Sequence, residues 1–203
     1  MRSATALEKF TSADILLLPE DNKRYEIIEG ELYVSRAPGY EHQYTCTRLA
    51  KFLDNWNDEA KLGVVLGAPG LVFAEDDDVI PDVVWVSHAN FARSVDAAGH
   101  LTQAPELAIE VLSPGRKNEE RDRQAKLRLY SRRGVLEYWI VDWMFQKVEI
   151  HRRKLGRLKH VTTLLQAEAI QSPLLPGFSC QVNSLFFSLP DHVSGSKSNE
   201  PHG

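Results

Sequence analysis

The stretch ELAIEVLSPGRKNEERDRQAKLRLYSRRGVLEYWIVD, Glu106 to Asp142, decides the fold of this chain. An apolar segment ends at a Ser-Pro-Gly turn, a charged segment with helical periodicity follows, and a second apolar segment closes the stretch. We predict strands at Glu106–Leu112 and Leu136–Val141, joined by a helix at Asn118–Arg132 with Asn118 as its N-cap. Such a βαβ unit has parallel strands and a right-handed crossover, which predicts an α/β protein.

The first apolar segment contains an acidic residue, Glu110. An unpaired carboxylate in a dry interior costs several kcal/mol or takes up a proton, so a base, a cation or water should face it. The alternative is a core acid that is simply protonated or salt-bridged.

The flanking segments extend the α/β pattern in both directions. A short helix is predicted at Ser12–Leu18, followed by an N-terminal hairpin that turns at Glu29 and Gly30 and by a long helix, EHQYTCTRLAKFLDNWNDE. Strands are predicted in GVVLGAPGLVFAE and DVIPDVVWVS, with an acidic turn at Asp76–Asp78 between them. A C-terminal hairpin extension completes a mixed β-sheet flanked by helices.

Length and composition are those of one globular domain. The chain has 203 residues, of which 43% are hydrophobic and 26% charged. We expect a single domain over residues 1–189 and a disordered tail over 190–203, which is polar and contains Gly, Ser and Pro. No apolar run reaches the ~20 residues of a membrane span and no signal pattern opens the chain, so a cytoplasmic location is expected. Cys46 and Cys180 are interpreted as reduced structural residues.

The charge is unevenly distributed. The formal net charge is −4, which argues weakly against attraction of nucleic acid by the whole molecule. Basic residues nevertheless recur in two stretches, residues 116–133 and 151–160. These stretches are either local nucleic-acid-binding faces or ordinary solvated surface.

A second acid, Asp82, follows Pro81 at the start of a predicted strand. If strands 82–86 and 106–112 pair antiparallel with Val86 opposite Glu106, Asp82 lies opposite Glu110, with Cβ atoms about 5 Å apart. Two facing acids require protonation or a cation, and a divalent ion with oxygen ligands is the natural choice. The alternative for Asp82 is a residue that only starts a strand.

The helix that follows carries a lysine on its buried face. On a wheel of about 100° per residue, Lys126 lies at the centre of the face that meets the sheet. The opposite side is predicted to carry Arg121, Gln124, Arg128, Ser131 and Arg132. A buried lysine needs a carboxylate partner, and the crossover brings Lys126 towards Glu110. Alternatively, Lys126 extends its ammonium to the surface or pairs with Asp122.

Two carboxylates, a divalent metal and a lysine are suited to phosphodiester hydrolysis. Several segments of the chain resemble the Uma-two family of restriction endonucleases, within the PD-(D/E)XK nuclease superfamily. These segments are PDVVWV, ELAIEVLSPG, the run with Asp122, Lys126 and Tyr130, GVLEYWIVD, PLLPGFSC and the opening RYEIIEGELYV. The resemblance covers roughly Phe10 to Leu189. It implies a restriction-endonuclease-like α/β core and dependence on Mg²⁺ or Mn²⁺. It also implies metal binding by Asp82, Glu110 and the carbonyl of Val111.

One position departs from the superfamily pattern, which places a lysine two residues after the second acid, where this chain has Leu112. In some branches the lysine has moved to the neighbouring helix, and Lys126 matches that position. His42 resembles a family position near the active site, although a histidine at a helix start is commonly a cap or a surface residue.

These features predict a metal-dependent endonuclease that acts on DNA, with Asp82, Glu110 and Lys126 as catalytic residues. One alternative is a nucleic-acid-binding or assembly protein that keeps the fold without catalysis, which the Leu112 substitution and the acidic net charge favour. Another is a hydrolase of small phosphorylated molecules. We expect any sequence preference to come from loops, such as residues 87–104. A homodimer is expected, because cutting both strands suits two symmetric active sites.

Overall fold

The computed structural model describes residues 9–19 and 21–188. The predicted domain end at Leu189 and the predicted tail, residues 190–203, lie outside the described residues. The strands are β1 Lys23–Ile28, β2 Glu31–Arg36, β3 Gly63–Gly67, β4 Leu71–Ala74, β5 Asp77–Val79, β6 Val83–Ser87, β7 Leu107–Val111, β8 Glu137–Asp142, β9 Lys147–Lys154, β10 Arg157–Leu165, β11 Ala169–Ser172 and β12 Leu175–Gln181. The helices are α1 Ser12–Ile15, α2 Tyr40–Ala60, α3 His88–Ser94, α4 Arg116–Glu120 and α5 Leu127–Arg133, with a π-helical segment Arg121–Lys126 between α4 and α5 and a 3-10 turn Val182–Leu185.

A six-stranded mixed sheet forms the centre of the fold, in the order β10-β9-β8-β7-β6-β3. The predicted βαβ unit is confirmed, because β7 and β8 pair in parallel and are joined by the helix over residues 116–133. The other neighbours in this sheet pair antiparallel. The two C-terminal strands, β11 and β12, form a separate antiparallel hairpin. This is the mixed α/β architecture that the sequence predicts.

A second sheet has the order β2-β1-β5-β4 and contains the predicted N-terminal hairpin, β1 and β2. The predicted strands over residues 63–75 and 78–87 each divide in two, so that β3 and β6 join the central sheet while β4 and β5 join this one. The predicted acidic turn at Asp76–Asp78 is present but lies earlier, at residues 75–76, because β5 begins at Asp77. The carboxylate of Asp77 is buried and accepts hydrogen bonds from Arg132 and Arg133, which holds it in the sheet rather than in an exposed turn.

The helix over residues 116–133 differs from the prediction at its start. It begins at Arg116 after Gly115, whose φ of 109° suits glycine. Asn118 is therefore not the N-cap, and its side chain donates to the carbonyl of Pro114 instead. The π-helical segment has more residues per turn than a wheel of 3.6 assumes. Arg121, predicted to be exposed, is consequently buried.

The central sheet is covered on both faces by apolar side chains. One face packs against α2 and the C-terminal hairpin, through residues such as Leu53, Trp85, Ile109, Trp139 and Phe178. The other face packs against helix 116–133 and the second sheet, through residues such as Ile28, Leu71, Ala108, Leu129 and Ile140. Glu110 alternates with Ile109 along β7 and therefore faces helix 116–133. Among the described helices, none is long and apolar enough to cross a membrane.

Candidate active site

The strand register brings the two predicted acids together. Val83 pairs with Ile109 and Trp85 pairs with Leu107, which is the predicted register. Continued by one residue, this register places Asp82 opposite Glu110. The backbone N–H of Val111 donates to Asp82 Oδ2 at 2.9 Å, which fixes the carboxylate at the end of β7.

Lys126 reaches Glu110 from the helix. Its Nζ donates to Glu110 Oε1 at 2.9 Å, and the hydroxyl of Tyr130 donates to the same oxygen at 2.7 Å. Lys126 is 0% exposed, so its ammonium does not extend to the surface. Asp122 instead forms its ion pair with Arg121, at 2.8 Å. The structure thus brings Asp82, Glu110 and Lys126 into one cluster.

A third acid in this cluster, Glu26 on β1, was missed in the sequence. Lys126 Nζ lies 2.8 Å from Glu26 Oε1, which also accepts from the N–H of Ile80 at 2.9 Å. Glu26 Oε2 is buried without a hydrogen bond, 3.5 Å from the guanidinium of Arg121. The signal was present, because Glu26 alternates with apolar positions in the strand pattern of RYEIIEG, as Glu110 does in ELAIEV.

Asp82 is held by groups from three elements. Besides Val111, Arg24 of β1 donates to Oδ1 at 3.0 Å, and Nε2 of His42 of α2 lies 3.2 Å from Oδ2. Burial alone would raise the pKa of Asp82, but the hydrogen bond from His42 and the charges of Lys126 and Arg24 hold this pKa well below its usual range. His42 is buried, so it belongs to the site and is neither a helix cap nor a surface residue.

Glu110 differs from Asp82 in its proton affinity. Burial raises the pKa of Glu110 to about 8, because the charge of Lys126 only partly offsets desolvation and the nearby acids Asp82 and Asp122 add to it. Burial alone would lower the pKa of Lys126, but Glu110 and Glu26 raise it. Burial thus shifts Glu110 towards its protonated form, while the two carboxyl groups shift Lys126 towards its charged form.

Two cavities open onto Asp82. The first, of about 230 Å³, is lined with basic side chains that include Lys23, Arg24, Arg36 and Arg121. The second, of about 300 Å³, lies beside α2. Most of the basic lining of the first cavity comes from β1 and β2, outside the two basic stretches at residues 116–133 and 151–160. Residues 87–104 instead contribute to a separate cavity, with Asn90, Arg93 and Thr102.

The chemistry of this cluster fits a divalent metal ion. Four buried carboxyl groups meet here, those of Glu26, Asp82, Glu110 and Asp122. Among the described residues, the permanent cations that contact these carboxyl groups are Arg24, Arg121 and Lys126. Carboxylate oxygens are the ligands that Mg²⁺ and Mn²⁺ prefer, and a divalent ion would supply positive charge among these closely placed acids.

The fold resembles that of a solved nuclease-like protein. A crystal structure from Anabaena variabilis ATCC 29413, described as a "putative nuclease belonging to DUF820", superposes with a TM-score of 0.68 at 18% identity and covers 87% of this chain and 97% of its own. The type IIG restriction endonuclease BpuSI aligns with a TM-score of only 0.36 at 14% identity, over 71% of this chain and 14% of that chain. No curated protein matches the sequence significantly.

The sequence itself matches a family model over residues 12–183, which spans both sheets and every residue of the cluster described above. The model is described as "Uma2: Putative restriction endonuclease". The predicted resemblance is therefore confirmed, and the restriction-endonuclease-like fold with it. This chain belongs to the Uma2 family.

Proposed function

We propose that this protein is a Mg²⁺-dependent nuclease that hydrolyses phosphodiester bonds of DNA, with restriction-type endonucleolytic cleavage. One observation carries the proposal: a fully buried ammonium, Lys126 Nζ, is held 2.9 Å from Glu110, on the strand that pairs with the segment carrying Asp82. A lysine buried at this cost needs a task beyond packing, and stabilising charge on a phosphate is a task for which a fixed ammonium is suited.

Each residue of the cluster has a distinct role in this proposal. Asp82 and Glu110 would hold the metal ion, assisted by the carbonyl of Val111. The chemistry that such an ion would supply is neutralisation of phosphate charge and a lower pKa for a water molecule. Lys126 directs its ammonium at the scissile phosphate and stabilises the negative charge that develops on it.

Other side chains orient these groups. Tyr130 donates a hydrogen bond of 2.7 Å to Glu110, and Glu26 forms an ion pair of 2.8 Å with Lys126, so the ends of both side chains are fixed. His42 and Arg24 hold the two oxygens of Asp82 in place. Preorganisation of this kind removes the cost of ordering charged groups during the reaction.

The basic cavity supports a polyanionic substrate. Lys23, Arg24 and Arg36 line the opening of about 230 Å³ that leads to Asp82. Such a lining attracts a phosphate backbone, although the net charge of the whole chain is −4. We therefore propose DNA as the partner. A homodimer and a cytoplasmic location remain predictions from the sequence.

A cleavage assay tests the proposed function against its competitors. Purified protein is incubated with Mg²⁺ and supercoiled plasmid, linear duplex, single-stranded DNA or a chromogenic phosphodiester. Cleavage of DNA that disappears with EDTA supports the nuclease. DNA binding without cleavage would support the alternative without catalysis, and turnover of the small ester alone would support a small-molecule hydrolase. Either of these results would overturn the proposal.

A further inference from the structure

Helix α2 brings a thiol to the same aspartate that the proposed nuclease uses. Cys46 Sγ lies 3.5 Å from Nδ1 of His42, one helical turn earlier, and Nε2 of His42 lies 3.2 Å from Asp82 Oδ2. His42, Cys46 and Asp82 each offer one potential ligand atom, and these three atoms lie within 4.8 Å of one another. The nuclease mechanism gives Cys46 no role.

The donor set of these three residues differs in kind from that of the carboxylate cluster. Thiolate, imidazole and carboxylate are the ligands of Zn²⁺ and related soft or borderline cations, whereas Mg²⁺ prefers oxygen alone. Three protein ligands leave a coordination position open, and Cys46 and Asp82 both line the cavity of about 300 Å³ beside α2. An ion can therefore reach Cys46 and Asp82 from the side of α2, while His42 lines the basic opening and Arg24 lines both cavities.

We propose that His42, Cys46 and Asp82 form a second metal site, specific for thiophilic divalent cations such as Zn²⁺, Co²⁺ and Cd²⁺. Binding breaks the S–H bond of Cys46, releases its proton to solvent and forms a sulfur–metal bond. The site shares Asp82 with the proposed Mg²⁺ site, so the two ions exclude one another. A thiophilic metal is then an inhibitor of the nuclease, and this last step rests on the proposed function.

The thiol ligand favours selectivity for thiophilic ions. Metal binding to Cys46 requires loss of the thiol proton, because the thiolate is the form that ligates a metal ion. Only an ion with a strong preference for sulfur displaces that proton, and Mg²⁺ does not. Cys180 offers a matched control within the same chain, because it is also a free thiol but its sulfur contacts Ser184 and a backbone carbonyl.

Cobalt titration of the full chain tests the site without reference to catalysis. Metal-free wild-type protein and the variants Cys46→Ser and Cys180→Ser are titrated with Co²⁺ alone, and the thiolate-to-cobalt charge-transfer band is followed in the near ultraviolet. We expect the band at one equivalent in the wild type and in Cys180→Ser, and its absence in Cys46→Ser. Asp82→Asn should weaken Co²⁺ binding by at least about tenfold, and excess Mg²⁺ should compete. No band in the wild type, or an equal band in Cys46→Ser, would overturn the site.

The inhibitory role has its own measurement. The Zn²⁺ concentration that halves Mg²⁺-dependent DNA cleavage is compared for wild type, Cys46→Ser and Cys180→Ser. We expect Cys46→Ser to require at least about tenfold more Zn²⁺, with Cys180→Ser unchanged. Equal inhibition of all three proteins would refute the inhibitory role. If the wild type does not cleave DNA, the proposed function fails and the inhibitory role with it, while the cobalt titration still decides whether the site exists.

Discussion

Replacing Lys126 by methionine should destabilise the protein as well as inactivate it. Methionine is a good helix former of similar length, so the helix itself is preserved. The substitution nevertheless removes the ammonium that lies 2.8 Å from Glu26 and 2.9 Å from Glu110, both buried. Breaking a buried ion pair by removing one partner costs about 3–5 kcal/mol. At about 2–4 °C per kcal/mol for a chain of this length, the melting temperature should fall by about 6–20 °C.

The free energy of unfolding is measured by urea unfolding in EDTA, and the melting temperature by thermal unfolding in the same buffer. DNA cleavage is then measured under conditions where each variant is folded. Lys147→Met serves as the control, because Lys147 is partly exposed and pairs loosely, at 3.5 Å or more, with Glu149 and Asp142. Its free energy of unfolding should change by no more than about 0.5 kcal/mol. Cleavage by Lys126→Met should fall by about 10²-fold or more, the scale of losing one preorganised donor.

A double variant separates the structural from the catalytic contribution of Lys126. Adding Glu26→Gln removes a buried carboxylate that the first substitution left with only the more distant cation Arg121, so about 1–3 kcal/mol of stability should return. Activity should not return, because the ammonium is still missing. If Lys126→Met alone were as stable as the wild type, the structural role of Lys126 would be refuted. If it also cleaved DNA at the full rate, the catalytic role would be refuted as well.

Three further predictions concern the same cluster. Asp82→Asn should lower the affinity for Mg²⁺ in calorimetric titration by at least about tenfold. The control Asp96→Asn, at an exposed position, should leave this affinity unchanged. Equal affinity in the wild type and Asp82→Asn would contradict the assignment of Asp82 as a metal ligand. Glu110→Gln should abolish cleavage and change the pH dependence of stability. The pKa of Glu110 is about 8 in the folded protein, against an ordinary value of 4.5, so the folded state binds more protons between these values. Wild-type stability should therefore fall relative to Glu110→Gln as pH rises from 4.5 to 8, as measured by unfolding in EDTA. Leu112→Lys combined with Lys126→Met should regain part of the lost activity, since residues 110 and 112 share one face of β7 and its continuation, and no regain at all would argue that the ammonium must come from the helix.

Much of the fold could be predicted because its signals are local. The two apolar segments around a charged helix predicted the parallel pair β7 and β8. The register that places Asp82 opposite Glu110 was an assumption, and the pairing of Val83 with Ile109 agrees with it. Lys126 was found because helical periodicity places it on the buried face. These patterns depend on residues that are near in sequence or paired by a simple register.

What was missed depends on contacts between distant segments. Glu26 lies 100 positions before Lys126 in the sequence, and only the packing of the second sheet against helix 116–133 brings the two together. The π-helical segment, which buries Arg121 against Asp122 and Glu26, has no signature in local periodicity. The division of the predicted long strands between two sheets is likewise set by tertiary pairing.

We propose above all that Asp82, Glu110 and Lys126 form an active site that cleaves DNA. The most direct measurement is the rate of Mg²⁺-dependent cleavage of plasmid DNA by the wild type and by Asp82→Asn, with both proteins shown to be folded by circular dichroism. We predict cleavage by the wild type that requires Mg²⁺, and a rate for Asp82→Asn lower by at least about 10²-fold. Equal rates for the two folded proteins would contradict the claim.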